Sequence, residues 1–192
     1  MMDPFATLGI ERTFDVDLAA LEKTHRELSR ALHPDKHAAG GATERRYALS
    51  KAVEVNEAWR IVRDPIRRAE ALFRLAGIAV GETNEPTPSA DLLMDMMEQR
   101  EALSDARGKR DEAAVRELAV AIEAREHGAE NALSSGFRSA NGVRQELEKL
   151  VPRLGELRFY RRFLDEVSEG EDMTTTSPAG SNEGTAAAAA GR

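Results

Sequence analysis

The chain has 192 residues, a formal charge of −7, 41% hydrophobic residues, only 5% aromatic residues and no cysteine. That length fits one or two small domains with a core made mostly of Leu, Ala, Val and Met. Without cysteine, the chain cannot by itself form disulfides, thiolate zinc fingers, thiol nucleophiles or thiolate-held iron–sulfur clusters.

Charged residues reach 32%, and Ala, Leu, Glu and Arg dominate, the composition of a helical protein. No apolar run approaches the roughly 20 residues a membrane helix needs. The opening MMDPFATLGIERTF lacks the basic region and long apolar core of a signal peptide. The expectation is a soluble cytoplasmic protein with no membrane partner. Charge is unevenly spread: residues 1–76 hold 13 Lys/Arg against 12 Asp/Glu, and residues 77–192 hold 14 against 22. Phosphate neutralisation asks for a basic domain, so nucleic acid is not an expected partner. Halves of different charge suggest two different partners.

Asp15 and Asp17 are N-cap candidates. Leu18, Leu21, His25, Leu28 and Leu32 then recur at steps of three and four, predicting a helix over about 17–32 with one apolar stripe. Pro34 stops it, because the residue before a proline resists the helical conformation, and 37–43 reads as a loop. Ala48, Ala52, Val55, Trp59 and Val62 form a second stripe on a helix over about 42–63, with Trp59 read as core. Two amphipathic helices joined this way make an antiparallel hairpin. Asp64-Pro65 breaks the second helix, and a shorter one follows over about 66–76. Residues 77–89, rich in Gly, Pro, Thr and Ser, read as an interdomain linker. Three more helices are expected, over about 90–106, 109–134 and 140–167. The second carries Val115, Leu118, Ile122, Ala129 and Leu133. The third carries Val143, Leu147, Leu150, Leu154, Leu157, Leu164 and Val167, and Pro152 should kink it. From residue 169 to 192 the composition collapses to small and polar residues, which predicts a disordered tail.

His33, Pro34 and Asp35 admit four readings. They are a helix stop with a turn, part of a metal site with His37 and His25, a catalytic pair, or a docking point. The metal reading needs converging ligands, and His25 lies on the apolar stripe. The catalytic reading needs a pocket and an orienting third group, for which no serine motif or phosphate loop speaks. The docking reading draws on Lys23, Arg26 and Arg30, which recur at steps of three and four away from the leucines, and on Lys36 beyond the helix end. Such a basic ridge is either a solvated face or a surface that steers an acidic partner.

In the second half, Leu92, Met96 and Leu103 share one helical face, and Leu93 and Met97 form a second apolar column beside it. So wide an apolar arc is either doubly buried or holds side chains for a partner. Asp91, Asp95, Glu98, Glu101 and Asp105 surround it, against Arg100. Phe159 lies two residues past Leu157, off the core stripe, unless the kink at Pro152 turns it inward.

The first 76 residues resemble a J-domain, the module that activates DnaK-type ATPase chaperones. The likeness rests on HPD at 33–35, the basic helix before it and the antiparallel helix after it. FATLGI (5–10), HPDK (33–36), VNEAWRIVRDPIRRAEALF (55–73), LLMDMMEQREAL (92–103) and ELRFYRRFLDEV (156–167) narrow it. They are similar to the HscB family of iron–sulfur co-chaperones over about residues 3–167. The resemblance implies an all-α, L-shaped protein: a J-domain (1–76), a linker (77–89), a three-helix scaffold-binding domain (90–168) and a tail (169–192). It implies a co-chaperone with no enzymatic activity, cofactor or metal of its own. Lys23, Arg26, Arg30, His33, Pro34, Asp35 and Lys36 would engage an HscA/DnaK-type ATPase chaperone. Leu93, Met94, Met97, Glu98, Glu101, Asp105 and Phe159 would bind an IscU-type scaffold. The chain departs from the family pattern mildly, at His37, Ala71, Met97 and Asp105. The rival readings are a generic J-domain protein serving other clients, a hydrolase using His33 and Asp35, and a structural scaffold with no chaperone link.

Overall fold

Asp3 starts the first helix by accepting hydrogen bonds from the N–H groups of Phe5 (3.0 Å) and Ala6 (3.2 Å). Gly9 ends it at φ +67°, in the left-handed region where a Cβ is strained. This α1 (Pro4–Leu8) has too few residues to show a periodicity, so it is not among the expected helices. The computed structural model describes residues 2–37, 41–81 and 88–175, and among them every regular element is helical.

Asp17 caps α2 (Leu18–Ala31) through the N–H groups of Ala19 (2.9 Å) and Ala20 (3.1 Å). Its stripe buries Leu21 and half-buries Leu28 and Leu32. Leu18 differs from expectation: it is 55% exposed, being about 80° round the helix from Leu28 at the stripe's edge. His25 lies between helices as a satisfied side chain, its Nε2 2.9 Å from Asn56 Oδ1 and its ring stacked on Trp59 at 4.6 Å. A 3₁₀ turn, Pro34–His37, follows, in keeping with the helix-stop-and-turn reading, and only His37 of the loop expected over 37–43 falls in it. Residues 38–40 of that expected loop lie outside the described residues.

The second hairpin helix, α3 (Ala42–Arg63), has the expected bounds and buries Ala48, Val55, Ala58 and Val62. Trp59 packs against the core cluster from its edge, half-buried. Its ring is held between His25 and the Arg63 guanidinium, whose carbon lies 4.4 Å from the ring centroid. Asp64 ends α3 and caps α4 (Pro65–Leu75) by accepting from Arg67 N–H at 2.9 Å. Proline is tolerated at that first position because its missing N–H would have no helical partner.

Three long helices and one short one make the second half: α5 (Ala90–Gly108), α6 (Glu112–Ala140), α7 (Arg144–Glu148) and α8 (Val151–Thr175). The second is longer than expected, ending at Asn141 in the left-handed region. Gly136 suits it, since a Cβ there would collide with Leu150. The predicted single helix over 140–167 is instead two. Val143, counted on its stripe, is 53% exposed and precedes α7. The break falls before Pro152, which occupies the first turn of α8 where it costs no hydrogen bond. That helix runs to Thr175, past residue 169, where the composition change put its end. Residues 176–192 of the expected tail lie outside the described residues.

The two halves share one core. Phe5, Leu21, Val55 and Phe73 belong to the same buried cluster as Leu133, Ala140, Leu147, Leu154 and Leu157. Phe137 of α6 stacks on Phe14 (centroids 5.5 Å apart) and packs on Phe73 (5.0 Å). Ile78 and Val80 are each 7% exposed within this cluster. Ile78 and Val80 therefore anchor the start of the expected linker in the core, while Gly77 and Ala79 are exposed; 82–87 lie outside the described residues. Ion pairs rim the junction: Glu70–Arg158 at 2.7 Å and Asp15–Arg138 at 3.1 Å. Arg161 joins Glu126 at 2.5 Å and Asp64 at 3.8 Å. Burial lowers the Arg161 pKa, but the Glu126 hydrogen bond and charge outweigh it and leave it raised. Nearby, burial and then the Glu126 charge push Glu130 above the usual carboxylate range. A second buried cluster fills the far end of the bundle, with Met96, Leu103, Val115, Ile122, Phe163 and Val167.

Candidate functional site

On α2 the ridge Lys23, Arg26 and Arg30 is exposed. At about 100° per residue these three lie within about 60° of one another and opposite the buried Leu21 and half-buried Leu28. Arg26 also pairs with Glu22, one turn back, at 2.5 Å. The ridge runs to the 3₁₀ turn, where Lys36 N–H donates to His33 O at 3.0 Å. Asp35 N–H donates to His33 Nδ1 at 3.3 Å. The same Nδ1 lies 3.5 Å from Asp35 Oδ2. The Asp35 side chain is 90% exposed and that of His33 59%. A carboxylate so open is available to a partner. Among the described residues no cluster of His, Asp and Glu could hold a metal ion. The turn thus joins Asp35 and Lys36 to the end of the basic face. The Pro34 backbone shapes that turn.

The second surface is the outer face of α5. Set against the buried Met96 and Leu103, the positions of Met94, Met97, Glu98, Glu101 and Asp105 fall on the opposite half of the helix, and Leu93 stands on the flank about 70° from the buried direction. All six are exposed, with Leu93 at 42%, Met94 at 63% and Met97 at 70%. The apolar three occupy the first two turns, and the acidic three follow toward the C-terminus. Such a face combines an apolar anchor with a negative rim.

Phe159 needs the bundle's geometry. Asp95 of α5 pairs with Arg125 of α6, and Glu126 of α6 with Arg161 of α8. Both neighbouring pairs of helices are antiparallel, so α5 and α8 run in the same direction. Arg100 and Glu166 bridge them at 3.3 Å. Seven residues earlier on each helix, two turns back and only about 20° round, stand Leu93 and Phe159. The bundle therefore sets Phe159 at the level of the α5 apolar column, on the side of α8 that faces α5. Phe159 is half-buried, and the Arg162 guanidinium carbon lies 4.6 Å from its ring centroid.

Sequence reasoning did not assign the clamp that holds α5 in place. Arg107 Nη2 donates to the carbonyls of Glu166 (2.6 Å) and Val167 (3.3 Å), beyond the Arg100–Glu166 pair. A signal was available: Arg100 interrupts an otherwise acidic run, and a lone cation there points to an inward partner. Phe163, fully buried under α5, was also unassigned.

The comparisons with known proteins cover both surfaces. Residues 3–71 match the DnaJ domain and residues 88–168 the HSCB C-terminal oligomerisation domain. The co-chaperone protein HscB homolog of Shewanella oneidensis is 32% identical over 172 residues, 89% of this chain and 98% of that protein. Its counterpart in Bordetella avium is 32% identical over 166 residues, covering 86% and 95%. The solved chaperone HscB from Vibrio cholerae superposes with a TM-score of 0.78 at 26% identity, over 90% of this chain and 99% of that one. The crystal structure of human co-chaperone protein HscB superposes with a TM-score of 0.79 at 24% identity, over 89% and 83%; at that identity it shows the fold alone.

Proposed function

Taking as premise that the chain belongs to the HscB family of co-chaperones, we propose that it serves iron–sulfur cluster biogenesis in the cytoplasm. It carries an IscU-type scaffold on the outer face of α5 and Phe159. It presents that scaffold to an HscA/DnaK-type chaperone through Lys23, Arg26, Arg30, His33, Pro34, Asp35 and Lys36. Its own chemistry is recognition alone: the ATP hydrolysed belongs to the chaperone, and the cluster belongs to the scaffold.

The observation that carries this reading is the pairing of two unlike exposed surfaces on one chain. The first is basic and polar, suited to steering an acidic partner by charge. The second is apolar with an acidic rim, suited to burying anchors in a partner. A generic J-domain protein would need only the first. Exposed Leu93, Met94 and Met97 favour a dedicated second partner.

The test is steady-state ATP turnover by a purified HscA/DnaK-type chaperone, with the chain and an IscU-type scaffold added singly and together. The chain should raise turnover, and the two together should raise it more than the sum of their separate effects. Turnover unaffected by the chain would refute the reading. Stimulation by the chain that ignores the scaffold would favour the generic alternative.

A further inference from the structure

The helix α5 carries three methionines within four positions, and the fold gives them opposite fates. Met96 is 1% exposed and packs in a cluster with Leu103, Ile122 and Phe163. Met94 and Met97 are 63% and 70% exposed. They lie about 60° apart on the outward face, beside Leu93 and just ahead of Glu98 and Glu101. The fold does not use their thioethers, which solvent reaches.

We propose that Met94 and Met97 are an oxidation-sensitive modification site, and that converting them to sulfoxides with a peroxide releases the scaffold. This rests on the scaffold-binding reading of the α5 face. The chemistry is a two-electron oxygen transfer. A lone pair on the thioether sulfur attacks one peroxide oxygen, the S–O bond forms and the O–O bond breaks. The departing hydroxide takes up the remaining proton and leaves as water. Sulfur is oxidised by two electrons and hydrogen peroxide is reduced by two. A flexible apolar side chain becomes a polar one with a strong acceptor. Covered by a partner's apolar surface, that oxygen loses its water and gains no donor in exchange, a cost an apolar thioether does not carry. Because both side chains point away from the bundle, the fold itself is not involved. Met96 is the built-in control, since an oxidant reaches it only by entering the core. Sulfoxide reductases can reverse the change.

The experiment treats the full chain with hydrogen peroxide, removes the peroxide, and then titrates with an untreated IscU-type scaffold. The tryptic peptide 75–100 holds all three methionines, so fragment spectra report each one. Met94 and Met97 should gain oxygen about tenfold or more faster than Met96, in line with burial. Scaffold affinity should fall about tenfold or more, with the thermal melt retained. Sulfoxide reductases should restore binding. M94L/M97L, whatever its starting affinity, should bind equally before and after peroxide. Three results would overturn the proposal: Met96 oxidising as fast as its neighbours, fully oxidised chain binding as tightly as untreated chain, or the leucine variant losing as much on treatment. An untreated chain that does not bind the scaffold is a different outcome, which removes the scaffold reading and this inference with it.

Discussion

Helices α2 and α5 both turn a face to solvent, and the two faces are opposite in kind. The outward face of α2 carries Lys23, Arg26 and Arg30, with Leu21 and Leu28 turned to the core. The outward face of α5 carries Leu93, Met94 and Met97, while Met96 and Leu103 are buried behind it. One helix is amphipathic in the ordinary sense. The other is apolar on both sides at its N-terminal end, and packing within the bundle explains only one side. The difference teaches what each face can do. A charged face acts at a distance of about 8–10 Å, is screened by salt and mainly governs encounter. An apolar face acts only on contact and mainly governs how long a complex lasts.

The largest effect in this comparison should come from removing the apolar anchors. Leu93→Ala, Met97→Ala and Phe159→Ala together should weaken scaffold binding about a hundredfold or more by titration calorimetry, at about 1–3 kcal/mol per buried anchor. Leu93 and Met97 are exposed, so their truncation should cost within about 0.5 kcal/mol of stability. A collapsed melt would show that these side chains serve the core.

Phe137→Ala asks whether the two faces are carried by one folded unit. Phe137 touches Phe14 and Phe73 across the junction. Its loss should destabilise the chain by about 3 kcal/mol, moving one cooperative calorimetric transition as a whole. Two separated transitions would mean the halves fold independently and the shared cluster is not a shared core.

A smaller effect is expected at the charged face. Lys23→Glu with Arg26→Glu should slow chaperone association about tenfold at low salt and abolish its salt sensitivity, as read by stopped-flow mixing. An unchanged rate would make the ridge a merely solvated face.

The smallest effect concerns the junction. Burial, then Glu126, raises the Glu130 pKa, so the folded chain holds this proton more tightly than the unfolded chain does. Ionised Glu130 therefore opposes folding at neutral pH, and the penalty fades as pH falls through its raised pKa. Glu130→Gln should raise the melting temperature slightly at pH 7, and the difference should shrink toward acid. Solvent access to this half-buried side chain keeps the effect small. A difference that grows on acidification would contradict that sign.

Much of this was legible in the sequence where periodicity was strong. The hairpin of α2 and α3, the cap at Asp17, the stop at Asp64-Pro65 and the two apolar columns of α5 all follow from spacing and turn chemistry. The failures have specific physical causes. A five-residue helix such as α1 has no period to detect. Gly, Pro and Thr suggest a linker, but Ile78 and Val80 are ordinary core residues that a composition window averages away. Pro152 marks the right region and the wrong device, since it begins α8 instead of bending a longer helix. The position of Phe159 could not be read from its own helix, because it depends on α5 and α8 running parallel, and the Arg100–Glu166 pair reveals that only in three dimensions.

The most direct test crosses the two faces. Asp35→Asn removes one charge from an exposed turn and touches no core residue. It and the triple alanine variant should each be measured for stimulation of the HscA/DnaK-type ATPase without scaffold, and for binding of the IscU-type scaffold. Asp35→Asn should lose most of the stimulation, about tenfold or more, and bind the scaffold as before. The triple variant should do the reverse. If folded Asp35→Asn stimulates fully, or if either variant loses both properties together, the account of two independent faces on one chain is wrong.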